Sequence, residues 1–268
     1  MFIKNNHIAN KLYSPYLKSI RNLEKSARVL ATGEKYPTVA DGGGELGVAD
    51  RWKQKIKTTE KLIVGLEDTS GYLDTQGELL TQASEILQRM SELASSALDT
   101  TKNTNDRIAL DAEFQALEAE MAQLAGRQYN QISLFGHVLS VRYDTTSVAG
   151  AAQTATLSAI NLGNITFANL TLSQLASASA AFISIKSRVN SLNIFKSYAG
   201  NNSNEIDRIM NFTQTHINNL SNAENSIRDI DLALATGNFT KEQVILAAAQ
   251  SAMAQSNGLI QSALAFLT

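Results

Sequence analysis

The side chains that could do chemistry are few in this sequence of 268 residues, and they lie far apart. The three histidines, His7, His137 and His216, share no motif, and no His-Glu-x-x-His run marks a zinc protease. The sequence contains no cysteine, which excludes disulfides, thiolate zinc sites and a cysteine nucleophile. We therefore expect no enzymatic activity, no cofactor and no bound metal.

Two other polar segments could suggest a nucleotide-binding or a catalytic site, but neither has the residue pattern that such a site needs. The glycine-rich run Asp41–Gly44 is not followed by the Lys-Ser/Thr pair of a phosphate-binding loop, and its glycines lack dinucleotide-binding spacing, so we predict a turn there. The carboxylates of Asp229 and Asp231 lie next to Arg228, which favours an ion-paired linker over a catalytic pair.

The composition favours long helices. Both prolines, Pro15 and Pro37, lie near the start of the chain, so residues 38–268 contain no proline that would interrupt a helix. The formal net charge is −2, which implies neither a nucleic-acid partner nor an anionic membrane. The first thirty residues carry an excess of positive charge. This excess is equally consistent with a helix face exposed to solvent and with one that contacts a partner. Their charged residues are Lys4, Lys11, Lys18, Arg21, Glu24, Lys25 and Arg28.

Apolar residues at alternating spacings of four and three predict the long helices themselves. One such seam runs through a helix predicted over residues 46–98, with two polar interruptions. A polar turn at 99–105 supplies the cap of a second helix, and so short a connection predicts antiparallel neighbours. The seam of the first helix consists of Leu62, Leu66, Thr69, Leu73, Gln76, Leu80, Ala83, Leu87, Met90, Ala94 and Ala97, and that of the second consists of Leu110, Phe114, Leu117, Met121 and Leu124.

The middle of the chain changes to a strand pattern. Residues 139–143 alternate apolar and polar side chains, and residues 154–160 and 165–170 are rich in β-branched residues, so we predict two to four short strands. A capping box at Thr171–Gln174 is predicted to begin the next long helix. Residues Gly200–Asn204 are predicted to loosen that helix.

The end of the chain is predicted to be a connector and an uncharged helix. Residues 228–239 are interpreted as irregular, and Thr240–Gln243 as a second capping box. Residues 243–268 carry no charge but many amides and hydroxyls, which makes a membrane span costly and favours a protein partner along the helix.

These patterns together predict a mainly α protein: a long antiparallel helical bundle or coiled coil built from both chain ends, with a small central β-hairpin region. The segments are an N-terminal helix and connector at 1–45, two long helices at 46–129, a β-rich insert at 130–171, a long helix at 172–227, and a connector and C-terminal helix at 228–268.

Several short motifs are similar to those of one family, the bacterial flagellins. Leu87–Ala94 resembles the LQRxxELA signature of the first long flagellin helix, and Asn105–Glu113 resembles the SDRxALQxE start of the second. Near the C-terminus, Ile227–Asp231 resembles IRDAD, Asn238–Gln243 resembles NLTKxQ, and Ala252–Asn257 resembles AMLAQAN. The resemblance spans residues 1–135 and 172–268 and leaves the centre unmatched. It departs at Asp41–Val48, where the family has DDAAGLAI, so the connector is expected to bend differently.

The resemblance implies a structural subunit that polymerises into the extracellular flagellar filament. It implies export through the flagellar type III channel, a filament core made by segments 1–45 and 228–268, and a surrounding shell made by the long helices. The implied partners are other copies of the chain, an export chaperone, the filament cap protein and the hook–filament junction proteins. The implied polymerisation motifs contain Arg228, Asp229, Asp231, Asn238, Thr240 and Gln243.

The resemblance also implies a surface that the vertebrate flagellin-sensing Toll-like receptor contacts. Its matching positions are Leu87, Gln88, Arg89, Leu93 and Glu113, and filament packing alone would explain them equally well. Two other functions stay open from the sequence, a hook–filament junction protein and, less favoured, a secreted type III translocator. An enzyme would need a site in the 130–171 insert, whose His137, Arg142, Tyr143 and Asp144 form no recognisable catalytic constellation.

Overall fold

Long helices dominate the computed structural model, which describes residues 7–144, 153–165 and 170–265. Within these ranges the helices are α1 (His7–Thr32), α2 (Val39–Ala97), α3 (Thr104–Ala125), α4 (Leu175–Arg228) and α5 (Leu232–Ala265). The strands are β1 (Gln128–Tyr129), β2 (Ile132–Ser133), β3 (Ser140–Arg142) and β4 (Thr154–Thr156), and one turn of 3-10 helix covers Leu162–Ile165. The predicted class, mainly α with a small β-hairpin region, is confirmed.

The chain forms two compact units. Unit 1 contains residues 1–54 and 219–268, and unit 2 contains residues 55–218. Helices α2 and α4 each contribute to both units. The predicted division into a filament core and a surrounding shell stays a prediction.

The core of unit 2 follows the predicted apolar seams. From Leu73 onward every seam position of α2 is buried, and Phe114, Met121 and Leu124 of α3 are buried with them. A residue repeated every three or four positions returns to one side of a helix, so these side chains form one continuous cluster with α4. Gln76 is the polar member, and its side-chain amide donates to the carbonyl of Leu134.

The turn between α2 and α3 is capped as its polar sequence predicts. The Asn103 side chain accepts from the Asp106 backbone N–H at 2.9 Å, and the Asp106 carboxylate accepts from the Asn103 N–H at 3.1 Å. Arg107 donates to the carbonyls of Ala97 and Asp99, each at 2.9 Å. These bonds satisfy the free backbone groups at both helix ends.

Within the described residues the β region contains two antiparallel pairs of strands, and the sequence pattern located only part of it. Strands β3 and β4 pair antiparallel inside the predicted stretches. Strands β1 and β2 lie just before them, joined by Asn130 and Gln131 at φ 45° and 66°, a two-residue turn of the kind that tight hairpins use. The strand predicted at 165–170 is wrong at Ile165, which ends the 3-10 turn, and residues 166–169 lie outside the described ranges.

Two predictions about α4 are wrong. At Thr171, the predicted capping hydroxyl instead donates to the Asp111 carboxylate at 3.0 Å, and the helix begins only at Leu175. The helix also continues without interruption through Gly200–Asn204. There the buried side chain of Asn202 accepts from the Ser158 N–H and donates to the Ser158 carbonyl, both at 3.0 Å, which holds the helix against the β region.

In unit 1, α1 packs against α5 in antiparallel fashion. The backbone N–H of Lys35, just after α1, donates to the carbonyl of Arg228, while Asn22 donates to Glu242 further along α5. Helix α2 starts at Val39, earlier than predicted, with non-helical backbone at Gly42. In the described residues, no helix is both long and apolar enough to cross a membrane.

The connector before α5 is shorter than predicted. The sequence predicts an irregular stretch at 228–239, but only residues 229–231 lie between the helices, because α4 ends at Arg228 and α5 begins at Leu232. The capping box predicted at Thr240–Gln243 is wrong, since the Thr240 hydroxyl donates back to the Thr236 carbonyl at 2.9 Å inside the helix. Asp231 caps the helix instead, and its side chain accepts from the N–H groups of Ala233 and Leu234.

Candidate functional site

Arg228 is the centre of a charged cluster in unit 1. Its Nη1 donates to Glu34 at 3.0 Å, its Nη2 to Asp50 at 3.0 Å, and its Nε to Glu224 at 2.7 Å. These four residues, called the Arg228 cluster below, come from the end of α4, the connector after α1, and α2. The guanidinium group has five N–H donors in a fixed plane, so it can bind three carboxylates that approach from different sides of that plane's edge.

The surroundings of Arg228 strengthen these bonds. Its side chain is only 17% exposed. The hydrogen bond to Glu34, followed by those to Glu224 and Asp50, holds the pKa of Arg228 well above its usual range, although burial opposes this shift. A backbone bridge between Glu34 and Asp229 adds to the contact. The cluster therefore fixes the α4–α5 junction to the connector between α1 and α2.

The other predicted polymerisation residues fall into two groups. Asp229 and Asn238 line a cavity of about 490 Å³ between α1 and α5, and Asp231, the cap of α5, lines it too. Thr240 and Gln243 are exposed on α5. The structure thus brings Arg228, Asp229, Asp231 and Asn238 together at one end of the α1–α5 pair and leaves Thr240 and Gln243 on its surface.

Three members of the Arg228 cluster were missed by sequence reasoning. Glu224 lies one helical turn before Arg228, at the four-residue spacing of a helical ion pair, and could have been found. Glu34 and Asp50 are separated from Arg228 by 194 and 178 positions, and no local pattern connects them.

The α1–α5 pair exposes large apolar side chains. Leu232, Leu234 and Val244 are 62–65% exposed on α5, and Tyr13 on α1 is likewise exposed. The buried residues described in unit 1 are all small: Ser19, Ala49 and Ser256. An exposed apolar surface on a unit that buries so few side chains is typical of a surface that another protein covers.

The second predicted face lies in unit 2 on α2 and α3. Arg89 donates to Glu113 at 2.8 Å and to Glu92 at 3.3 Å, and these carboxylates, Glu113 first, hold the pKa of Arg89 above its usual value. Leu87 and Leu93 are 0% and 2% exposed and pack in the core. Of the five predicted contact residues, only Gln88, Arg89 and Glu113 are therefore on the surface.

The fold and the exposed terminal helices define a class of mainly helical proteins whose chain ends pair with each other. The model of the bacterial flagellin N-terminal helical region matches residues 3–139, and that of the C-terminal helical region matches residues 183–267. The chain belongs to the bacterial flagellin family, which is a family of structural proteins.

Individual relatives match nearly the whole chain. A flagellin of Halalkalibacterium halodurans is 24% identical over 252 residues, covering 91% of each chain. A 30.7 kDa flagellar filament core protein of Treponema maltophilum is 22% identical over 286 residues, covering 98% of this chain and 99% of its own. A protein assigned as flagellar hook-associated from Vibrio parahaemolyticus has a similar fold, with a TM-score of 0.56 over 70% of this chain and all of its own, at 13% identity.

Proposed function

We propose that the chain is the structural subunit of a bacterial flagellar filament, an extracellular helical polymer of copies of itself. The exposed apolar surface of the α1–α5 pair carries this proposal. A helix that exposes leucine and valine and has no charge beyond residue 242 is poorly suited to water. It is well suited to burial against other copies of the same helix pair.

The proposed polymer is an open helical one, built by contacts between copies of the chain. Head-to-tail contacts between different surfaces generate a filament when the rotation between copies does not close a ring. Because unit 1 buries only small residues, we expect it to be only weakly stable in the monomer. Contacts with neighbouring copies would then bury most of the apolar surface whose burial orders the terminal helices. Assembly would then be coupled to the folding of the terminal helices.

The further partners are also part of this proposal. An export chaperone would cover the apolar side of α5 before secretion, and the filament cap protein would receive the chain at the growing tip. Hook–filament junction proteins would bind the first copies. The exposed set Gln88, Arg89 and Glu113 is the part of the predicted receptor face that a vertebrate Toll-like receptor could contact.

Seeded polymerisation tests the filament function. Purified monomer would be mixed with short filament seeds or a high-salt precipitant and examined by negative-stain electron microscopy. We expect long filaments of uniform width from the full chain and none after deletion of residues 240–268. The substitution Lys186→Ala, which changes one exposed side chain of unit 2 outside the polymerisation motifs, is the control and should polymerise normally.

Seeded polymerisation and a vesicle-leakage assay together separate the alternatives. A hook–filament junction protein would stay monomeric or form only short oligomers under every seeding condition, and a translocator would release dye from lipid vesicles. The names and coverage of the relatives favour the filament subunit. The similarity to the Vibrio protein concerns the fold alone.

A further inference from the structure

The charges along α2 are strongly segregated. Residues 51–61 contain five basic residues and one acid, whereas residues 67–85 contain five acids and no base. The basic segment consists of Arg51, Lys53, Lys55, Lys57 and Lys61, with Glu60 as its acid, and the acidic segment consists of Glu67, Asp68, Asp74, Glu78 and Glu85. One helix therefore carries a positive stretch followed by a negative one.

These side chains are available to a partner. All the acids of the acidic segment are exposed, as are Lys57 and Lys61 of the basic segment. Within the described residues, no member of either segment makes an ion pair. Lys196 on α4 lies across a groove from Asp74 and Glu78 and does not reach ion-pair distance.

Helical periodicity places each segment on the outer side of α2. Lys57 and Lys61 are four residues apart, so their side chains are neighbours on one face. Glu67, Asp74, Glu78 and Glu85 are spaced by seven, four and seven and form a straight row. Copies of α2 packed in register would place like charges side by side, which is unfavourable in a polymer.

We propose that the basic segment of α2 in one copy docks against the acidic segment of α2 in a neighbouring copy. This inference rests on the proposed filament function and names one contact within it. From Lys57 to Glu78 the helix rises about 30 Å, so a stagger of about this length brings opposite charges together. The contact joins two different surfaces and is therefore of the head-to-tail kind that an open helical polymer needs. Charge complementarity on the same helix identifies the occupant as a second copy.

Two charge-reversed variants test this docking. Reversal of Lys53, Lys57 and Lys61 to Glu makes both segments acidic, and reversal of Asp74, Glu78 and Glu85 to Lys makes both basic. Each variant alone should raise the critical concentration for seeded polymerisation by about tenfold or more, because like charges then meet at every contact. A salt concentration of about 1 M should reduce the defect, since it screens exposed charges.

Mixing the two variants gives the sharpest outcome. In an alternating polymer each contact again joins opposite charges, so an equimolar mixture should polymerise within about threefold of the unmodified chain. Circular dichroism checks that both variants keep their helices, and the control carries three exposed reversals elsewhere, Lys102→Glu, Arg127→Glu and Lys186→Glu. Normal polymerisation of each variant alone, or no rescue on mixing, overturns the docking and leaves the filament function intact. Absence of filaments from the unmodified chain contradicts the filament function and the docking together.

Discussion

At the scale of single residues, Arg228 and Arg89 both bind carboxylates but in different surroundings. Arg228 is largely buried and joins three separate segments of unit 1. Arg89 is half exposed and bridges two helices that already share a large apolar core. A buried arginine with several carboxylates is costly to remove, whereas an exposed pair contributes little. Substitution of Arg228 should therefore destabilise the chain more than substitution of Arg89.

Substitution of Arg228 should loosen the connectors of unit 1. In Arg228→Ala the carboxylates of Glu34 and Glu224 lose the cation that binds them in the described part of the chain, and we expect a local loss of about 1–3 kcal/mol after allowance for partial exposure. Hydrogen exchange should accelerate at residues 30–38 and 229–240, less so in Arg228→Lys. Arg208→Ala, which loses one exposed bond to Glu205, is the control. Unchanged exchange in Arg228→Ala would contradict a fixing role.

The predicted receptor face should separate into structural and surface residues. Leu87→Ala creates a cavity in the core and should cost about 2–5 kcal/mol, measured by urea unfolding followed by circular dichroism. Arg89→Ala and Glu113→Ala remove only a solvent-exposed pair and should leave the unfolding midpoint almost unchanged. A reduced response of receptor-expressing cells to Arg89→Ala would then report a lost surface contact. An Arg89→Ala midpoint as low as that of Leu87→Ala would show that the pair is structural.

At the scale of elements, the ends of the helices depend on a few side chains outside the regular pattern. Asp231 and Gly42 are the informative cases. Asp231 caps α5 at a position that the sequence motif did not indicate. Gly42 is the residue with non-helical backbone within α2.

The start of α5 should depend on Asp231 and hardly on Thr240. Asp231→Ala removes the acceptor of two backbone N–H groups and should destabilise the first turn by about 1 kcal/mol. Faster amide exchange at residues 233–236 would report this fraying. Thr240→Ala should leave those amides unchanged because Thr240 lies inside the helix. Faster exchange in Thr240→Ala and unchanged exchange in Asp231→Ala would instead indicate that the helix begins at Thr240.

The bend at the start of α2 should need glycine at position 42. A Cβ added there would overlap the ring of Tyr36, whereas one added at Gly44 would meet no neighbour. We expect Gly42→Ala to lower the melting temperature of the chain. Gly44→Ala should stabilise the helix by about 0.5–1 kcal/mol, since alanine is the better helix former. Rescue of Gly42→Ala by Tyr36→Ala would identify the clash as the cause.

At the scale of the whole molecule, the two units differ in how much they bury. Unit 2 contains all the largest fully buried side chains described, from Leu66 to Ile185, whereas unit 1 buries only small ones. Hydrophobic stabilisation scales with the apolar area removed from water. Unit 1 should therefore depend on contacts between copies, and unit 2 should not.

Hydrogen exchange of monomer and filament should reveal this difference. In the monomer we expect α1 and α5 to exchange rapidly, while the buried part of α2 between Leu66 and Ala97 stays protected. In the filament, α1 and α5 should gain protection by at least about tenfold, and α2 should change less. The deletion of residues 240–268 should leave the protection of unit 2 unchanged. Strong protection of α1 and α5 in the free monomer would contradict assembly-coupled folding.

The sequence by itself determined the parts of this protein that depend on local repetition. The spacing of Leu73, Leu80 and Leu87 predicted the buried side of α2, because a helix turns by a fixed angle per residue. The polar run before α3 predicted its cap, since Asn103 and Asp106 are close in the chain. The motifs near both chain ends also predicted the family, and the family matches over residues 3–139 and 183–267 confirmed it.

The tertiary structure alone decided the contacts between distant residues. It brought Glu34 and Asp50 to Arg228, placed Asp111 against Thr171, and kept α4 helical at Asn202 through its bonds to Ser158. It also moved the start of α5 from Thr240 to Leu232. A hydroxyl or carboxylate binds whichever partner the fold brings within reach, so a capping motif indicates a helix start only where no such partner competes. That competition depends on the packing of whole helices, which no short stretch of sequence encodes.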